Sequence, residues 1–204
     1  MANSDWLVTE DGKCQACEIS QEDSGNLTRP YRLYRFLTEL EDILETVKEE
    51  SSRLEKIRPL VRRLLTSSYW LQGEYLEPNP NTGWSVLTLY DEPEFPLTVQ
   101  MVSWLPGRVS PIHNHAAWGV VALLSGEEKN RFWRRTDQSE FPDHIEQVGE
   151  HLLVPGDIIS FVPDAIHSVE IMGDEPSITL SIYGETDYDR RFEFDPATHT
   201  AQKF

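Results

Sequence analysis

Between about residues 31 and 68, apolar residues recur three and four positions apart, the spacing of one face of a helix. The first stripe predicts one helix, and its members are Leu33, Phe36, Leu37, Leu40, Ile43, Leu44 and Val47. A second stripe follows Ser52-Arg53-Leu54-Glu55, which has the form of a capping box and predicts the start of a second helix. Pro59 lies inside this second stripe, or else marks the first turn of its helix.

From about residue 83 the pattern changes to short runs of Val, Ile, Thr and aromatic residues, separated by Gly, Pro and Asp. The predicted strands cover residues 85–90, 97–104, 119–125, 129–135, 145–154, 157–161, 168–171, 177–183 and 191–194. Short, closely spaced strands without helices between them favour an antiparallel sandwich or a closed barrel. We therefore expect an all-β domain over residues 31–204, with helices at about 31–70 outside a barrel at about 83–195, after a polar segment at 1–30.

Composition and charge narrow the function. With 18 Lys and Arg against 35 Asp and Glu, the 204-residue chain carries a net charge of −17, which would repel a nucleic-acid backbone. No apolar run approaches the length of a membrane span, and the first residues lack the layout of a signal peptide. We expect a cytoplasmic protein that binds neither nucleic acid nor membrane.

The two cysteines, Cys14 and Cys17, form a single C-x-x-C pair. Such a pair can be redox-active or half of a zinc site, but the chain has no second pair to complete one. The residues around it are polar and typical of turns, so we interpret the segment as a mobile surface stretch.

Three histidines carry the candidate chemistry. His113 and His115 follow a Pro-Gly turn, and residues two apart on a strand point to the same face, so their rings are expected to project together. His167 follows a Pro-Gly-Asp turn, a short apolar run and Pro163. Together they predict a metal site, because imidazole suits Fe, Ni, Cu and Zn.

The spacing of Gly107, His113-Asn114-His115 and Gly126 resembles the first cupin motif, and Gly156-Asp157 with Pro163 and His167 resembles the second. The resemblance implies a double-stranded β-helix, or jelly-roll barrel. Gly119 and Val120 stand where most cupins have a glutamate. This loss, with the sequence Pro-Ile-His-Asn-His-Ala-Ala-Trp-Gly, resembles the thiol dioxygenase branch of cupins, which includes cysteine dioxygenase and 3-mercaptopropionate dioxygenase.

The resemblance implies Fe(II) on His113, His115 and His167, with Ni, Zn or Mn as alternatives, and O2 and a small thiol as substrates. It also implies that Tyr183 leans toward the metal. Two departures concern this tyrosine: Ser181 replaces a histidine of the family pattern, and Gly119 replaces the cysteine that animal cysteine dioxygenases cross-link to the tyrosine.

A third departure concerns the substrate. The family's carboxylate anchor aligns with residues 85–87, which are Ser, Val and Leu and cannot bind a carboxylate strongly. Arg108, Arg131 and Arg190 are candidates for a replacement, although each can simply face solvent. We therefore expect weak activity with L-cysteine. A non-catalytic binding cupin and a cupin enzyme that uses another metal remain alternatives, and the oligomeric state stays open.

Overall fold

The computed structural model describes residues 4–18, 30–68, 70–71, 76–93, 95–136 and 141–204. Within these ranges the predicted helices are present as α1 (Leu33–Thr46) and α2 (Glu50–Ser67). Neither of these two described helices has the length and apolarity needed to cross a membrane.

The start of α2 differs from the prediction. The capping box at Ser52 was wrong, because Ser52 lies within the first turn and Glu49 is the cap. The Glu49 carboxylate accepts hydrogen bonds from the backbone N–H groups of Ser51, at 3.0 Å, and Ser52, at 2.6 Å. It thereby satisfies two of the free donors at the helix start. Pro59 lies inside α2 and not in its first turn.

The described strands, in chain order, are β1 (Asp5–Val8), β2 (Cys14–Cys17), β3 (Trp84–Glu92), β4 (Phe95–Trp104), β5 (Ile112–Asn114), β6 (Gly119–Ser125), β7 (Glu127–Arg135), β8 (Ile145–Leu153), β9 (Ile158–Phe161), β10 (Ile166–Met172), β11 (Ser177–Gly184), β12 (Phe192–Asp195) and β13 (Thr200–Lys203). The pattern of predicted strands from residue 85 onward is confirmed. Strands β1, β2, β5 and β13 were not predicted as strands.

Across the described residues, these strands form a seven-stranded sheet, ordered β2-β1-β9-β6-β11-β4-β3, and a six-stranded sheet, ordered β13-β12-β5-β10-β7-β8. From β4 to β11 the chain passes from one sheet to the other at each connection except the β7–β8 hairpin. This order is that of a jelly roll made of two Greek keys. The predicted all-β fold, a double-stranded β-helix or jelly roll, is confirmed, with the described strands in two separate sheets and not in one closed barrel.

Alternation along β6 separates the two faces of the larger sheet. Val120 and Ala122 belong to a cluster with the apolar stripes of α1 and α2, so the helices cover the outside of this sheet. Val121 and Leu123 point the other way and pack with residues of the smaller sheet, including Phe132. The interior between the sheets is therefore lined by every second residue of each strand.

Cys14 and Cys17, in the stretch interpreted as a mobile surface segment, lie in strand β2, whose residues are half-buried or exposed. Strand β1 pairs in parallel with β9, and Val8 is fully buried in the inner cluster. The polar residues around Gly12 form the turn of the β1–β2 hairpin, where Gly12 has φ +73°. The remaining polar residues, 19–29, lie outside the described residues.

Candidate metal centre

Strands β5 and β10 place two of the three histidines side by side, with His113 paired to His167 in the antiparallel register. His115 lies just beyond the end of β5. The ring centroids are 4.8 Å apart for His113 and His115, 4.8 Å for His113 and His167, and 5.1 Å for His115 and His167. One ligand nitrogen from each ring lies within 4.8 Å of the others. The structure therefore brings the three predicted histidines into one group that can hold a metal ion.

Hydrogen bonds orient two of these rings. Nδ1 of His113 lies 3.0 Å from the Pro111 carbonyl oxygen, and Nδ1 of His167 lies 3.1 Å from Oδ1 of Asn130. A carbonyl oxygen only accepts, so each Nδ1 carries a proton and donates, and each Nε2 keeps its lone pair. The Nε2 atoms of His115 and His167 are 2.9 Å apart. Two nitrogens at right angles about a metal, each bound near 2.1 Å, would be about 3 Å apart, so this spacing fits a shared ion.

Burial lowers the pKa of all three histidines, because the charged imidazolium loses its hydration. The pKa of His113 falls to about 4, with the Pro111 carbonyl acting in the opposite direction. The pKa values of His115 and His167 lie well below 6.5, first through burial and then through a neighbouring histidine. All three rings are therefore neutral at pH 7, the form in which histidine coordinates metals.

Tyr183, in β11, lies against this group. Its ring stacks on His115 with centroids 4.6 Å apart and an interplanar angle of 28°. Burial raises the pKa of Tyr183 to about 12, while the Ser181 side chain acts in the opposite direction. The phenol therefore keeps its proton at neutral pH and can donate a hydrogen bond.

A cavity of about 280 Å³ opens onto the histidines and Tyr183 between the two sheets. Its walls are mainly apolar and aromatic, and they include Trp84, Val86, Val102, Trp104, Val121, Ile159, Phe161, Val169 and Phe204. A pocket of this size, with a few polar groups on apolar walls, suits a small organic molecule.

The cavity contains a basic side chain that the sequence analysis missed. Arg191 lines it, with its guanidinium carbon 4.5 Å from the centroid of the Phe204 ring. The buried Nε of Arg191 has no hydrogen-bond partner in the part of the chain that the structure describes. The positive charge of Arg191 also lowers the pKa of His113 and His115, after larger effects of burial, so it acts at the metal end.

The three arginines proposed as substrate anchors lie elsewhere. Arg131 forms an ion pair with Glu170, and Arg190 forms one with Asp164. Neither they nor Arg108 line the cavity. Val86 does line it, so the absence of a carboxylate anchor on that part of β3 agrees with the structure, but the three candidate replacements were wrong, because Arg191 is the arginine that lines the cavity among the described residues.

The alternation of inward-facing and outward-facing residues along the strands contains a signal for the two polar residues that were missed. In the last predicted strand, Phe192 and Phe194 pack together in an apolar cluster, which leaves Arg191 on the opposite face. In β7 the alternating buried positions are Glu128, Asn130 and Phe132, so the two polar residues share the inward face of the aromatic one.

No protein-family model matches the chain. Among solved structures, it is similar to oxalate oxidase in complex with glycolate, with 11% identity over 55% of this chain and 56% of that chain and a TM-score of 0.40. It is also similar to an uncharacterized Klebsiella pneumoniae protein with a double-stranded β-helix domain (20% identity, 57% and 83% coverage, TM-score 0.42). A third is a cupin superfamily protein from Desulfitobacterium hafniense (16% identity, 56% and 87% coverage, TM-score 0.39).

The chain thus spans only about half the length of the oxalate oxidase chain that it matches. At these identities and TM-scores, the comparisons carry no argument about activity. The conclusions about this site rest on its own geometry: three neutral, convergent imidazoles, a protonated tyrosine and a small cavity.

Proposed function

We propose that the chain is a mononuclear non-haem iron dioxygenase that converts the thiol of a small molecule to a sulfinate with O2. The observation that carries the proposal is the group of His113, His115 and His167 beside Tyr183, facing a small cavity. Within the described residues, no carboxylate belongs to this ligand group. The same absence of a carboxylate ligand distinguishes thiol dioxygenases from other cupins in the resemblance drawn above.

The reaction adds both oxygen atoms of O2 to one sulfur, RSH + O2 → RSO2H, so the sulfur is oxidised and O2 is reduced without a further co-reactant. His113, His115 and His167, all neutral, would hold an iron(II) ion without offsetting its double positive charge, and the ion would supply affinity for a thiolate and the redox chemistry. The low pKa values of the three histidines keep the ligands neutral over the physiological pH range.

The remaining groups of the cavity bind and orient the substrate. Tyr183 holds a proton on its hydroxyl and donates it in a hydrogen bond toward negative charge that develops beside His115. Arg191 offers a guanidinium for a substrate carboxylate, a pairing that is frequently bidentate. The apolar walls exclude water and so strengthen both interactions.

The test begins with the metal content of freshly purified protein, followed by iron loading under anaerobic conditions. O2 uptake is then measured with 3-mercaptopropionate, L-cysteine, 2-aminoethanethiol and 2-mercaptoethanol, with the His113→Ala variant as the control. We expect stoichiometric sulfinate that carries two 18O atoms from 18O2. A protein that holds metal but consumes no O2 with any thiol would favour the non-catalytic or other-metal alternatives.

A further inference from the structure

Glu128 is a buried carboxylic acid that the proposed reaction does not use. It lies in β7 with only 4% of its surface exposed, and it lines the same cavity as the three histidines. Its neighbours on the inward face of β7 are Asn130, which orients His167, and Phe132. The exposed Glu127 precedes it and points away from the interior.

Glu128 is not one of the three candidate metal ligands, and its backbone position is offset from that of His167 in the strand pairing. In the pairing of β7 with β10, Phe132 is opposite His167, whereas Glu128 is opposite Ile171. Four residues of strand separate these two positions, a rise of about 13 Å along β7. The group of potential metal ligands accordingly contains the three histidines and not Glu128.

The surroundings of Glu128 do not neutralise it. Glu128 takes part in none of the ion pairs of the described residues. A carboxylate in a low-dielectric cavity is costly unless a cation or several donors compensate it. Burial raises the pKa of Glu128 to about 7, with the Ser177 side chain acting in the opposite direction. A bound cation would hold it ionised.

We propose that Glu128 binds the cationic group of the cavity's natural ligand, an ammonium or a guanidinium several atoms away from the metal-binding end. The identity of the substrate rests on the proposed thiol oxidation. If that reaction is correct, the substrate is an aminothiol whose amine is remote from its sulfur. Arg191 and Glu128 both line the cavity, so one positive and one negative side chain together set the orientation of such a ligand.

The first test measures binding and needs no turnover. Calorimetry compares propylguanidinium with propylurea, which has nearly the same shape and no charge, on iron-loaded protein at pH 8. We expect the wild type to prefer the cation by about tenfold or more. This preference should be lost in Glu128→Gln and kept in Glu127→Gln, a matched loss of charge on the outer face. If the wild type bound both probes equally well, or bound neither, the proposal would be overturned. This outcome does not depend on whether the Glu128→Gln variant folds.

The second test compares 3-aminopropane-1-thiol with propane-1-thiol in O2 uptake. Glu128→Gln is expected to raise the ratio of KM for the aminothiol to KM for propane-1-thiol by about tenfold, whereas the control Glu127→Gln should leave this ratio within about twofold. Equal changes for both thiols would contradict the assignment. A retained preference for propylguanidinium, without O2 uptake with either thiol, would leave the cation site standing and reject the thiol reaction alone.

Discussion

Gly119 and Tyr183 face each other across β6 and β11, so closely that a Cβ on Gly119 would lie 2.9 Å from the Cδ1 and Cε1 atoms of the tyrosine ring. Real Cβ atoms do not approach other heavy atoms so closely, so any side chain here must displace the ring. The ring also stacks on His115, with centroids 4.6 Å apart. The glycine therefore leaves the space in which Tyr183 stacks on His115, at the position where animal cysteine dioxygenases have a cysteine cross-linked to the tyrosine.

Gly119→Ala is expected to lower kcat for thiol oxidation by about tenfold or more, because a small displacement of a catalytic group is costly. Metal content should stay unchanged, since Gly119 contacts none of the ligands. Gly149→Ala is the matched control, because a Cβ there meets Phe132 at an ordinary 3.8 Å. Full activity of Gly119→Ala would show that the tyrosine position is unimportant.

Removing a ligand should cost more metal affinity than removing a residue that only orients a ligand through a hydrogen bond. His113→Ala is expected to remove most bound metal, because two imidazoles hold a divalent ion poorly. Asn130→Ala should keep the ligands but weaken metal affinity by about 10- to 100-fold, the usual effect of removing a partner that orients a histidine. His144→Ala, outside the ligand group, should bind metal normally. Metal analysis and competition with a chelator measure all three, and full occupancy in His113→Ala would reject the assignment.

The sequence could predict those parts of the site that depend on residues close together in the chain, and not those that depend on contacts between distant strands. His113 and His115 are two residues apart, so their shared direction follows from local geometry, and the cupin motif supplied His167. The apolar stripes of α1 and α2 were equally readable because helical periodicity is local. Glu128 and Arg191 were missed because their inward direction depends on which face of each strand the fold buries.

The N-terminal strands were missed for a similar reason. Strand β1 is short and is held by its pairing with β9, about 150 residues further along the chain. Local propensity contains no sign of such a partner, and the polar hairpin turn near Gly12 dominated the interpretation. The cap of α2 was assigned to Ser52 on its pattern, yet the helix begins about one turn earlier, where the Glu49 side chain accepts from the N–H groups of Ser51 and Ser52.

The stability of the metal-free protein should fall on acidification from pH 7 to about 4. The folded pKa of His113 is about 4, and those of His115 and His167 also lie below 6.5. Between these values the unfolded chain binds protons that the folded protein does not, so the free energy of unfolding rises with pH. Each net proton changes it by about 1.4 kcal/mol per pH unit.

Glu128 acts in the opposite sense, because its folded pKa of about 7 exceeds the ordinary 4.5 and the folded protein holds the extra proton between these values. Glu128→Gln should therefore steepen the increase in stability between pH 4.5 and 7. Urea unfolding of metal-free protein at several pH values measures both slopes. A flat profile would contradict the burial of neutral histidines.

Asp5 should matter to stability although it lies in the N-terminal segment at 1–30 that was predicted to be polar and separate from the domain. It forms a buried ion pair with Arg62 of α2, so Asp5→Ala leaves a buried guanidinium without this partner. We expect a loss of about 3 kcal/mol or more in the free energy of unfolding. Asp11→Ala, in the exposed hairpin turn, should have a much smaller effect. Equal unfolding midpoints for the two variants would show that β1 contributes little.

If the proposed thiol oxidation is correct, we expect Arg191 to favour thiols that carry a carboxylate, and this expectation replaces that of weak activity with L-cysteine. A carboxylate in a cavity with apolar walls needs a partner, and Arg191 is the arginine that lines it among the described residues. Arg191→Ala is expected to raise KM for 3-mercaptopropionate by about 10- to 100-fold, the value of a charge-assisted hydrogen bond. The value for 2-mercaptoethanol, which has no carboxylate, should change little.

The neighbouring Arg190 provides the control, because it is paired with Asp164 outside the cavity. Arg190→Ala removes the same charge from the chain, so a general electrostatic effect on an anionic substrate would appear equally in both variants. O2 uptake at several substrate concentrations separates KM from kcat for each thiol. A selective loss of carboxylate-bearing substrates in Arg191→Ala alone would locate the carboxylate beside this guanidinium, whereas equal losses in both variants would remove Arg191 from the site.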